Sequence, residues 1–558
     1  MAGFLSKENT IANANFNRWL VPPAALAVHL SIGMAYGFSV FWKPLGNALT
    51  DADGKALATC AAGATNLSEK LAGTAKALFA TDCNWTQFDL GWMFTLFFVL
   101  LGCSAALWGG WLEREGPRKA GLVATLLWSG GLLISAYGVY VHQLWLLWLG
   151  SGVIGGIGLG LGYISPVSTL IKWFPDHRGM ATGMAIMGFG GGAMIGSPIA
   201  AKMMSYFATS ASVGVWQTFV VLAAIYFVFM LWGSLSYRVP PVGWKPANWT
   251  PAATQGNTMI SSKHVHLKNA HKTPQFWLLW IVLCMNVSAG IGIIGSASPM
   301  LQETFGGALI GQPEVGFADI KKDEALTAAA AAIGAGFVGL ISLFNIFGRF
   351  AWATSSDKLG RKRTYSIFFI LGVIMYCTAT YVAGFKSLAL FVGAFCVIAS
   401  MYGGGFATIP AYLADIFGTQ FVGAIHGRML TAWSTAGIVG PVIVNYMHDT
   451  RLEAKIPFDQ IYAPIFLVLA GLLVVGFIAN LLVKPVAEKY YMTDAELEAE
   501  HKLAHEKSIA TNVNSNTANG VAQSASHPVL VAIAWALVLL PIGYGIWSTM
   551  QKAWGLFS

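Results

Sequence analysis

Apolar stretches of about 20 residues alternate with polar segments along most of the chain, and this is the length that an α-helix needs to cross a bilayer. The chain contains thirteen such stretches. They predict an all-α polytopic membrane protein, and we expect the first stretch to be retained because no signal-peptide cleavage site follows it. The predicted spans are 19–42, 88–110, 120–140, 144–170, 180–206, 215–237, 275–300, 328–355, 364–384, 387–413, 424–447, 461–483 and 528–550.

The longer polar segments divide these spans into groups. A polar segment between the sixth and seventh spans is the natural linker between two sets of six helices. Another polar segment, which contains TNVNSNTANG, is typical of a flexible linker. The predicted units are an N-terminal six-helix half at 1–239, a cytoplasmic linker at 240–274, a C-terminal six-helix half at 275–484, a flexible polar linker at 485–527 and an extra transmembrane helix at 528–558.

The composition excludes a soluble protein, since 56% of the residues are hydrophobic, 10% are charged and the mean hydropathy is +0.61. The net charge of +8 needs no nucleic-acid partner. With the N-terminus in the cytoplasm, 21 of the 33 Lys and Arg residues lie on the cytoplasmic side and 11 on the outer side. We therefore expect a multi-pass protein of a cell membrane, the inner membrane in a bacterium, with its C-terminus outside.

Cysteine and histidine residues add little chemistry. Four of the six cysteines fall in apolar spans, where they are small buried hydrophobic residues. Cys60 and Cys83 lie in one long outer loop, and both a loop-closing disulfide and two free thiols remain open. The polar segment after the sixth span carries three histidines without cysteine or carboxylate partners, so we expect no metal site there.

The two predicted halves repeat each other at one offset. The polar loop after the second span reads GGWLEREGPRK from position 109, and the loop after the eighth reads ATSSDKLGRK from position 353. Glu113 and Asp357 are 244 positions apart, and the same offset relates glycine, proline and aromatic residues in four further spans. Duplicated halves that face a central cavity are a known plan of secondary transporters.

These two loops resemble the G-x-x-x-D-R-x-G-R-R signature of the major facilitator superfamily, although Glu113, Pro117 and Ala353 depart from it. The resemblance implies the major facilitator fold, with two six-helix halves and here a thirteenth C-terminal helix. It also implies that the loops stabilise one gated state, although an ordinary basic cytoplasmic loop is the alternative interpretation. The gate candidates are Glu113, Arg114, Arg118, Asp357, Lys358 and Arg361.

Longer motifs resemble those of one group within this superfamily. They are GMAYGFSVFWKP at 33–44, GYISP at 162–166, KWFPDHRG at 172–179, PPVGW at 240–244 and NIFGR at 345–349. They look like those of the oxalate/formate antiporter group, relatives of the monocarboxylate transporters. This resemblance implies transport of small carboxylates, by exchange or with protons, and an arginine of the eighth span that holds the carboxylate.

The residues themselves lead to the same chemistry. Arg349 lies inside an apolar run, and a cation at the centre of a membrane span costs about 2.5 to 3.5 kcal/mol, so it marks a functional site. No span provides an acidic neighbour for it, which leaves an external anion as its partner. A carboxylate meets a guanidinium through two parallel hydrogen bonds. Asn345 lies one helical turn earlier and adds a candidate donor.

Five more residues are candidates because they lie at a similar depth in their spans. Asn286, Tyr163, Tyr402 and Trp433 are candidate substrate contacts, and His29 is a candidate proton carrier. Packing within the bundle is the alternative for each of them.

The number of buried charges bears on the substrate. A dicarboxylate is expected to need a second buried cation. The resemblance implies a lysine in the eleventh span of the dicarboxylate-exchanging relatives, whereas this sequence has Trp433 where we would look for it. We therefore expect small monocarboxylates such as formate, lactate, pyruvate or acetate. The alternatives are an oxalate/formate exchanger, a transporter of another small solute and, more distantly, a transporter-like sensor. We expect a monomer in the lipid bilayer, with protons as a possible co-substrate, and neither enzymatic activity nor a cofactor.

Overall fold

The computed structural model describes residues 4–13, 15–51, 55–64, 66–209, 212–241, 244–247, 249, 259–384, 387–500, 502 and 527–554. This part of the chain is almost entirely helical, and its β-structure consists of isolated bridges. The centre of the predicted linker at 240–274 and most of the one at 485–527 lie outside the described residues.

Twelve helical segments in the described part of the chain are long and apolar enough to cross a membrane. They match the first ten predicted spans, the twelfth and the thirteenth, which confirms a polytopic membrane protein. Their bounds are Arg18–Gly46, Gln87–Glu115, Pro117–Tyr140, Leu144–Trp173, Arg178–Phe207, Val215–Ser236, Pro274–Ile310, Ala325–Leu359, Arg361–Tyr381, Leu388–Phe417, Phe458–Leu482 and Pro528–Trp554.

We number the α-helices in chain order. They are α1 Val21–Ile32, α2 Trp42–Gly46, α3 Leu67–Ala77, α4 Gln87–Glu115, α5 Pro117–Tyr140, α6 Leu144–Leu147, α7 Gly156–Trp173, α8 Arg178–Phe207, α9 Val215–Ser236, α10 Leu267–Ala270, α11 Pro274–Phe305, α12 Phe317–Ile320, α13 Glu324–Leu359, α14 Arg361–Gly384, α15 Leu388–Phe417, α16 Val422–Met429, α17 Thr431–Glu453, α18 Ala463–Leu482 and α19 Pro528–Trp554. Residues 494–500 are also helical. We call α1 to α9 the N-terminal half and α11 to α18 the C-terminal half.

Two spans contain segments that are not α-helical. The first begins with the 3₁₀ turn Arg18–Leu20 and continues through α1, the 3₁₀ helix Gly33–Phe41 and α2. Prolines 22 and 23 fit the start of α1, because N–H groups in the first turn have no partner within the helix. In the fourth span the π-helix Trp148–Gly155 joins α6 to α7. Further 3₁₀ helices are Glu8–Thr10, Gly306–Ile310, Phe458–Gln460 and Glu488–Tyr490.

The predicted eleventh span is not one continuous apolar helix. It consists of α16 and α17, which meet at Leu430. Two glycines and the polar residues His426 and Arg428 make α16 much less apolar than the other spans. With 23 residues α17 is about 34 Å long at 1.5 Å per residue, and α16 and α17 pack against α4 while α17 also packs against α11. The bundle therefore retains an eleventh element of spanning length.

The two halves meet along two seams, where α8 packs on α13 and α4 packs on α16 and α17. Glycines let the backbones approach at both seams. A Cβ atom on Gly179 of α8 would collide with the carbonyl oxygen of Ala353, and one on Gly427 of α16 would collide with that of Ala105. Small residues at such contacts are what drives helix association in a bilayer.

The polar segment between α2 and α4 is closed by a disulfide. The sulfur atoms of Cys60 and Cys83 are 2.02 Å apart, and the neighbouring residues Thr59 and Asn84 form a bridge. Asn84 also donates to the carbonyl oxygens of Leu49 and Leu57, both at 2.9 Å. Of the two states that the sequence left open for the cysteines, the structure therefore contains the disulfide.

Candidate functional site

Arg349 is fully buried on α13. Its Nε donates to Asn345 Oδ1 at 2.8 Å, and its Nη1 donates to the carbonyl oxygen of Ile186 on α8 at 3.3 Å. Nη2 has no hydrogen-bond partner among the described residues. The ion pairs found in the described part of the chain do not include Arg349. The site thus holds a positive charge with one open donor and no carboxylate.

Asn345 positions this guanidinium without neutralising it. The sequence suggested Asn345 as a further donor, but in the structure its Oδ1 atom accepts the hydrogen bond from Arg349. An amide carries no net charge, so the contact fixes the direction of the guanidinium and leaves its charge for another partner. A carboxylate at position 345 would have formed an internal ion pair instead.

Glycines on both neighbouring helices make room for the arginine. A Cβ atom on Gly190 of α8 would lie 3.0 Å from Nε of Arg349, and one on Gly403 of α15 would lie 3.0 Å from its Cγ. These separations are shorter than ordinary van der Waals contact, so larger residues would displace the side chain. The guanidinium therefore occupies a slot between the two halves.

Aromatic rings surround this slot. The Cζ atom of Arg349 lies 5.4 Å from the ring centre of Phe406 and 5.9 Å from that of Phe189. Both distances are within the range of cation–π attraction. Trp433 is fully buried and packs on both rings, at 4.6 Å from Phe406 and 5.4 Å from Phe189. The negative faces of these rings attract the cation, and the rings surround it with apolar surface.

The predicted tyrosines lie in the same cluster. Tyr163 packs on Phe189 and Trp433, both with ring centres 5.3 Å apart. Tyr402 packs on Phe406 at 5.3 Å, and its hydroxyl lies 3.2 Å from that of Tyr36 across the two halves. The structure therefore brings together five predicted residues, which are Arg349, Asn345, Tyr163, Tyr402 and Trp433.

Four aromatic residues of this cluster were not predicted. They are Tyr36, Phe98, Phe189 and Phe406. We call these four residues, together with Tyr163, Tyr402 and Trp433, the aromatic shell. Only Tyr36 carried a signal, since it lies in the GMAYGFSVFWKP motif. The three phenylalanines look like any other apolar residue of a span.

Asn286 borders the shell rather than Arg349. It lines a small cavity together with Tyr402, Gly290 and Tyr376, and its Oδ1 atom has no hydrogen-bond partner among the described residues. Its connection to the site is therefore through Tyr402.

His29 joins three helices. Its ring nitrogens face the carbonyl oxygens of Ala185 on α8 at 2.6 Å and Tyr163 on α7 at 3.1 Å, and its ring stacks on that of Tyr163. A neutral imidazole has one N–H and donates to only one of them, whereas a protonated ring donates to both. His426 on α16, which the sequence did not suggest, also lies beside Tyr163, with ring centres 5.9 Å apart. Neither of its ring nitrogens has a partner in the described part of the chain.

The two repeated carboxylates bind the starts of helices in the opposite half. Oxygen atoms of Asp357 accept from the backbone N–H groups of Gly179 at 2.8 Å and Met180 at 2.9 Å, in the first turn of α8. Glu113 accepts from the N–H group of Gly423 at 3.0 Å, in the first turn of α16. Free N–H groups and the helix dipole make such positions favourable for anions. Gly179 and Gly423 are themselves 244 positions apart, so the contacts are symmetric.

Salt bridges reinforce these contacts. Lys172 donates to Glu113 at 2.6 Å, and Arg361 donates to Asp357 at 2.6 Å. Asp415, which was not predicted, pairs with Arg178 of the N-terminal half at 2.8 Å and with Arg361 at 3.1 Å. We call these six residues the ionic gate. They form two clusters, which are Glu113 with Lys172, and Arg178, Asp357, Arg361 and Asp415.

Three predicted gate residues lie outside the ionic gate. Arg114 and Lys358 are exposed. Arg118 is buried within the N-terminal half, where it donates to the carbonyl oxygens of Phe4 at 2.8 Å and Tyr237 at 3.2 Å. It therefore anchors the N-terminal segment to the end of α9.

A buried guanidinium without a carboxylate partner can attract an anion, and charged contacts between the halves can hold them together. The described residues contain no group of three His, Cys, Asp or Glu side chains placed to hold a metal ion. The guanidinium with its open donor lies inside the aromatic shell, and the ionic gate links the two halves at one face of the bundle.

Comparison with known proteins gives a family match. Residues 58–441 and 290–556 match the family model described as Major Facilitator Superfamily. The chain is 24% identical over 352 residues to an oxalate:formate antiporter of Oxalobacter formigenes, with 62% of this chain and 73% of that protein covered. It is 25% identical over 391 residues to apicoplast pyruvate carrier 1 of Toxoplasma gondii, with 61% and 66% covered.

Solved structures give a matching fold. The fucose:proton symporter FucP of Escherichia coli superposes with a TM-score of 0.53 over 83% of this chain and 98% of that protein, at 11% sequence identity. At this identity the likeness concerns the fold alone.

The ionic gate yields a first prediction. Asp357→Asn removes a charge from the start of α8 and weakens its pairing with Arg361, and a hydrogen bond to a charged group contributes about 1.5 to 3 kcal/mol. Thr182 is a suitable reporter, because it is buried and its hydroxyl donates to the carbonyl oxygen of Ala407 in the other half at 2.7 Å. We expect Asp357→Asn to raise the rate at which a water-soluble maleimide labels Thr182→Cys by about tenfold.

The labelling uses a background in which the four free cysteines are replaced by serine. Asp319→Asn is the matched control, since Asp319 is exposed and its salt bridge is with the exposed Lys322 rather than with a residue of the ionic gate. An unchanged labelling rate in Asp357→Asn would show that this carboxylate does not hold the halves together.

Proposed function

Because this chain belongs to the Major Facilitator Superfamily, we propose that it transports small monocarboxylates by alternating access around Arg349. The formate, lactate, pyruvate and acetate class fits the site. Arg349 holds the carboxylate, and Asn345 fixes the direction of the guanidinium. Tyr163, Tyr402 and Trp433 form the walls of the site, and Asn286 supports Tyr402.

The observation that carries this proposal is the open Nη2 donor of the buried Arg349 within the aromatic shell. A carboxylate in place of the weak 3.3 Å contact with Ile186 would accept two parallel hydrogen bonds from Nη1 and Nη2. Few other small solutes combine one negative charge with this planar geometry. The relatives described as an oxalate:formate antiporter and a pyruvate carrier support the same class of substrate.

The charge count supports a monocarboxylate over a dicarboxylate. Arg428, the arginine of α16, lies outside the site and donates to the carbonyl oxygen of Leu267 at 2.7 Å. A second carboxylate would need a second cation in the wall of the site, but Trp433 lies there and offers an uncharged ring. A second carboxylate in this shell would remain unpaired, and an unpaired buried charge costs several kcal/mol. Oxalate/formate exchange remains the second candidate because of the oxalate:formate relative.

Exchange is the coupling mode that the geometry supports best. When the site closes without an anion, the charge of Arg349 stays buried without a counter-charge, whereas closure around a carboxylate neutralises it. The loaded protein therefore passes through the closed state more easily than the empty one. Proton symport is the second candidate, with His29 as proton carrier because protonation would satisfy both of its carbonyl contacts.

Replacement of the arginine tests the substrate site. Arg349→Gln keeps a polar side chain but removes the charge and one arm of the fork, so we expect carboxylate uptake into liposomes to fall by about tenfold or more. Arg363→Gln is the control, because Arg363 is an exposed arginine of α14. Normal uptake by a correctly inserted Arg349→Gln variant would place the substrate elsewhere.

Exchange by purified protein in liposomes tests substrate and coupling together. We expect labelled formate to enter vesicles loaded with a monocarboxylate about tenfold faster than vesicles loaded with oxalate, since the second charge of oxalate lacks a partner. Uptake into empty vesicles should stay low even with an inward proton gradient.

The opposite outcomes identify the alternatives. Tight exchange of oxalate with poor monocarboxylate transport would establish the dicarboxylate candidate. Proton-driven uptake into empty vesicles that is lost in His29→Gln would establish symport. If the protein transports no carboxylate, the proposed class of substrate is refuted.

A further inference from the structure

The last helix packs along the seam between the two halves. α19 contacts α1 and α8 of the N-terminal half and α13 of the C-terminal half. Its other face points outward, with Leu530, Leu537, Leu540 and Trp547 all exposed. It therefore lies at the edge of the bundle, between the seam and the position of the lipid.

The first part of α19 is attached to the N-terminal half. Nε1 of Trp535 donates to the carbonyl oxygen of Trp19 at 3.1 Å, just before α1. Val538 and Ile542 are buried in a cluster with Leu26 and Leu30 of α1. These contacts extend over two turns and make this part of α19 a fixed component of that half.

The second part presents a stripe of small residues. Gly545, Thr549 and Ala553 are spaced four residues apart and all are buried. A Cβ atom on Gly545 would lie 2.8 Å from Cε of Met194, so the backbone of α19 lies directly on α8. Nζ of Lys202, also on α8, donates to the hydroxyl of Tyr544 at 3.2 Å. Small residues at every fourth position are a common means of close helix packing in bilayers.

The final two turns of α19 cross to the C-terminal half. A Cβ atom on Gly339 of α13 would lie 3.0 Å from Cγ2 of Thr549, and one on Gly336 would lie 2.6 Å from the carbonyl oxygen of Lys552. The two glycines form a notch that receives the end of α19. The helix thus contacts both halves: the part from Trp535 to Gly545 lies on α1 and α8, and the last two turns lie in the notch of α13.

This tip lies on the face opposite the ionic gate. Two turns into α19, Trp535 lies beside Trp19, whose neighbour Arg18 pairs with Asp176 at 2.8 Å near the start of α8. The helix ends beside Gly336, which is 21 residues, or about 31 Å, from Asp357 along α13. The ionic gate and the notch therefore hold opposite ends of the same seam.

We propose that the end of α19 is a latch that holds α8 and α13 together on the face opposite the ionic gate. Alternating access separates the halves at one face at a time. A helix fixed to one half and seated in a notch of the other must leave the notch when that face opens. The latch therefore makes opening at this face less favourable, whatever the transported solute.

Filling the notch tests the latch in the full-length chain. Thr549→Leu adds bulk where Thr549 already meets Gly339, and Gly339→Leu adds it from the side of α13. Gly543→Leu is the matched control, since it adds the same side chain to α19 at a position with open space around it. Opening is measured as the distance between spin labels at Tyr206, at the end of α8, and Ala325, at the start of α13.

We expect Thr549→Leu and Gly339→Leu each to raise the population with a long label distance about fivefold, in the range usual for coupled conformational equilibria. Gly543→Leu should match the parent protein. The latch is refuted if both notch variants keep the parental distance distribution, or if Gly543→Leu shifts it as much as they do. Carboxylate uptake is not part of this measurement, so its result is independent of the proposed substrate.

Discussion

Burial of one guanidinium without a carboxylate is the constraint on which the centre of this protein depends. Such a charge is costly in a bilayer, and every contact around it reduces the cost without cancelling the charge. Asn345 and the carbonyl oxygen of Ile186 accept hydrogen bonds, and the rings of Phe189 and Phe406 offer their negative faces. Because none of these partners is anionic, the charge of Arg349 is stabilised but not neutralised.

The internal repeat applies to the gate carboxylates but not to the buried Arg349. The two gate carboxylates obey the 244-residue offset in their own positions and in the glycines that they bind, because the two halves close against each other in the same way. The same offset places Leu101 and Ala105 opposite Asn345 and Arg349. Both are buried and apolar, and Gly427 packs on Ala105 there. One half thus supplies the charge while the other supplies packing, which is the asymmetry that a site for a single charge requires.

The sequence predicted features that local chemistry determines. The length of the apolar stretches correctly predicted twelve of the thirteen spans. A lone arginine in an apolar run pointed to the centre of the site. Features that depend on packing partners were missed. Phe189 and Phe406 become wall residues only because α8 and α15 place them beside Arg349, and Asp415 becomes a gate residue only because Arg178 faces it. The break at Leu430 was missed because α16 and α17 looked like one moderately apolar stretch.

The two ends of the seam between α8 and α13 are held by different physics. At the ionic gate, charges meet helix N-termini, and such contacts weaken when water and salt enter. At the notch, α19 packs through small residues whose contacts are short-ranged and unaffected by salt. Ionic strength therefore acts mainly on one face, so the balance between the two open states should depend on the solution on the gate side. The ionic gate and the proposed latch would therefore set the resting state without any change at Arg349.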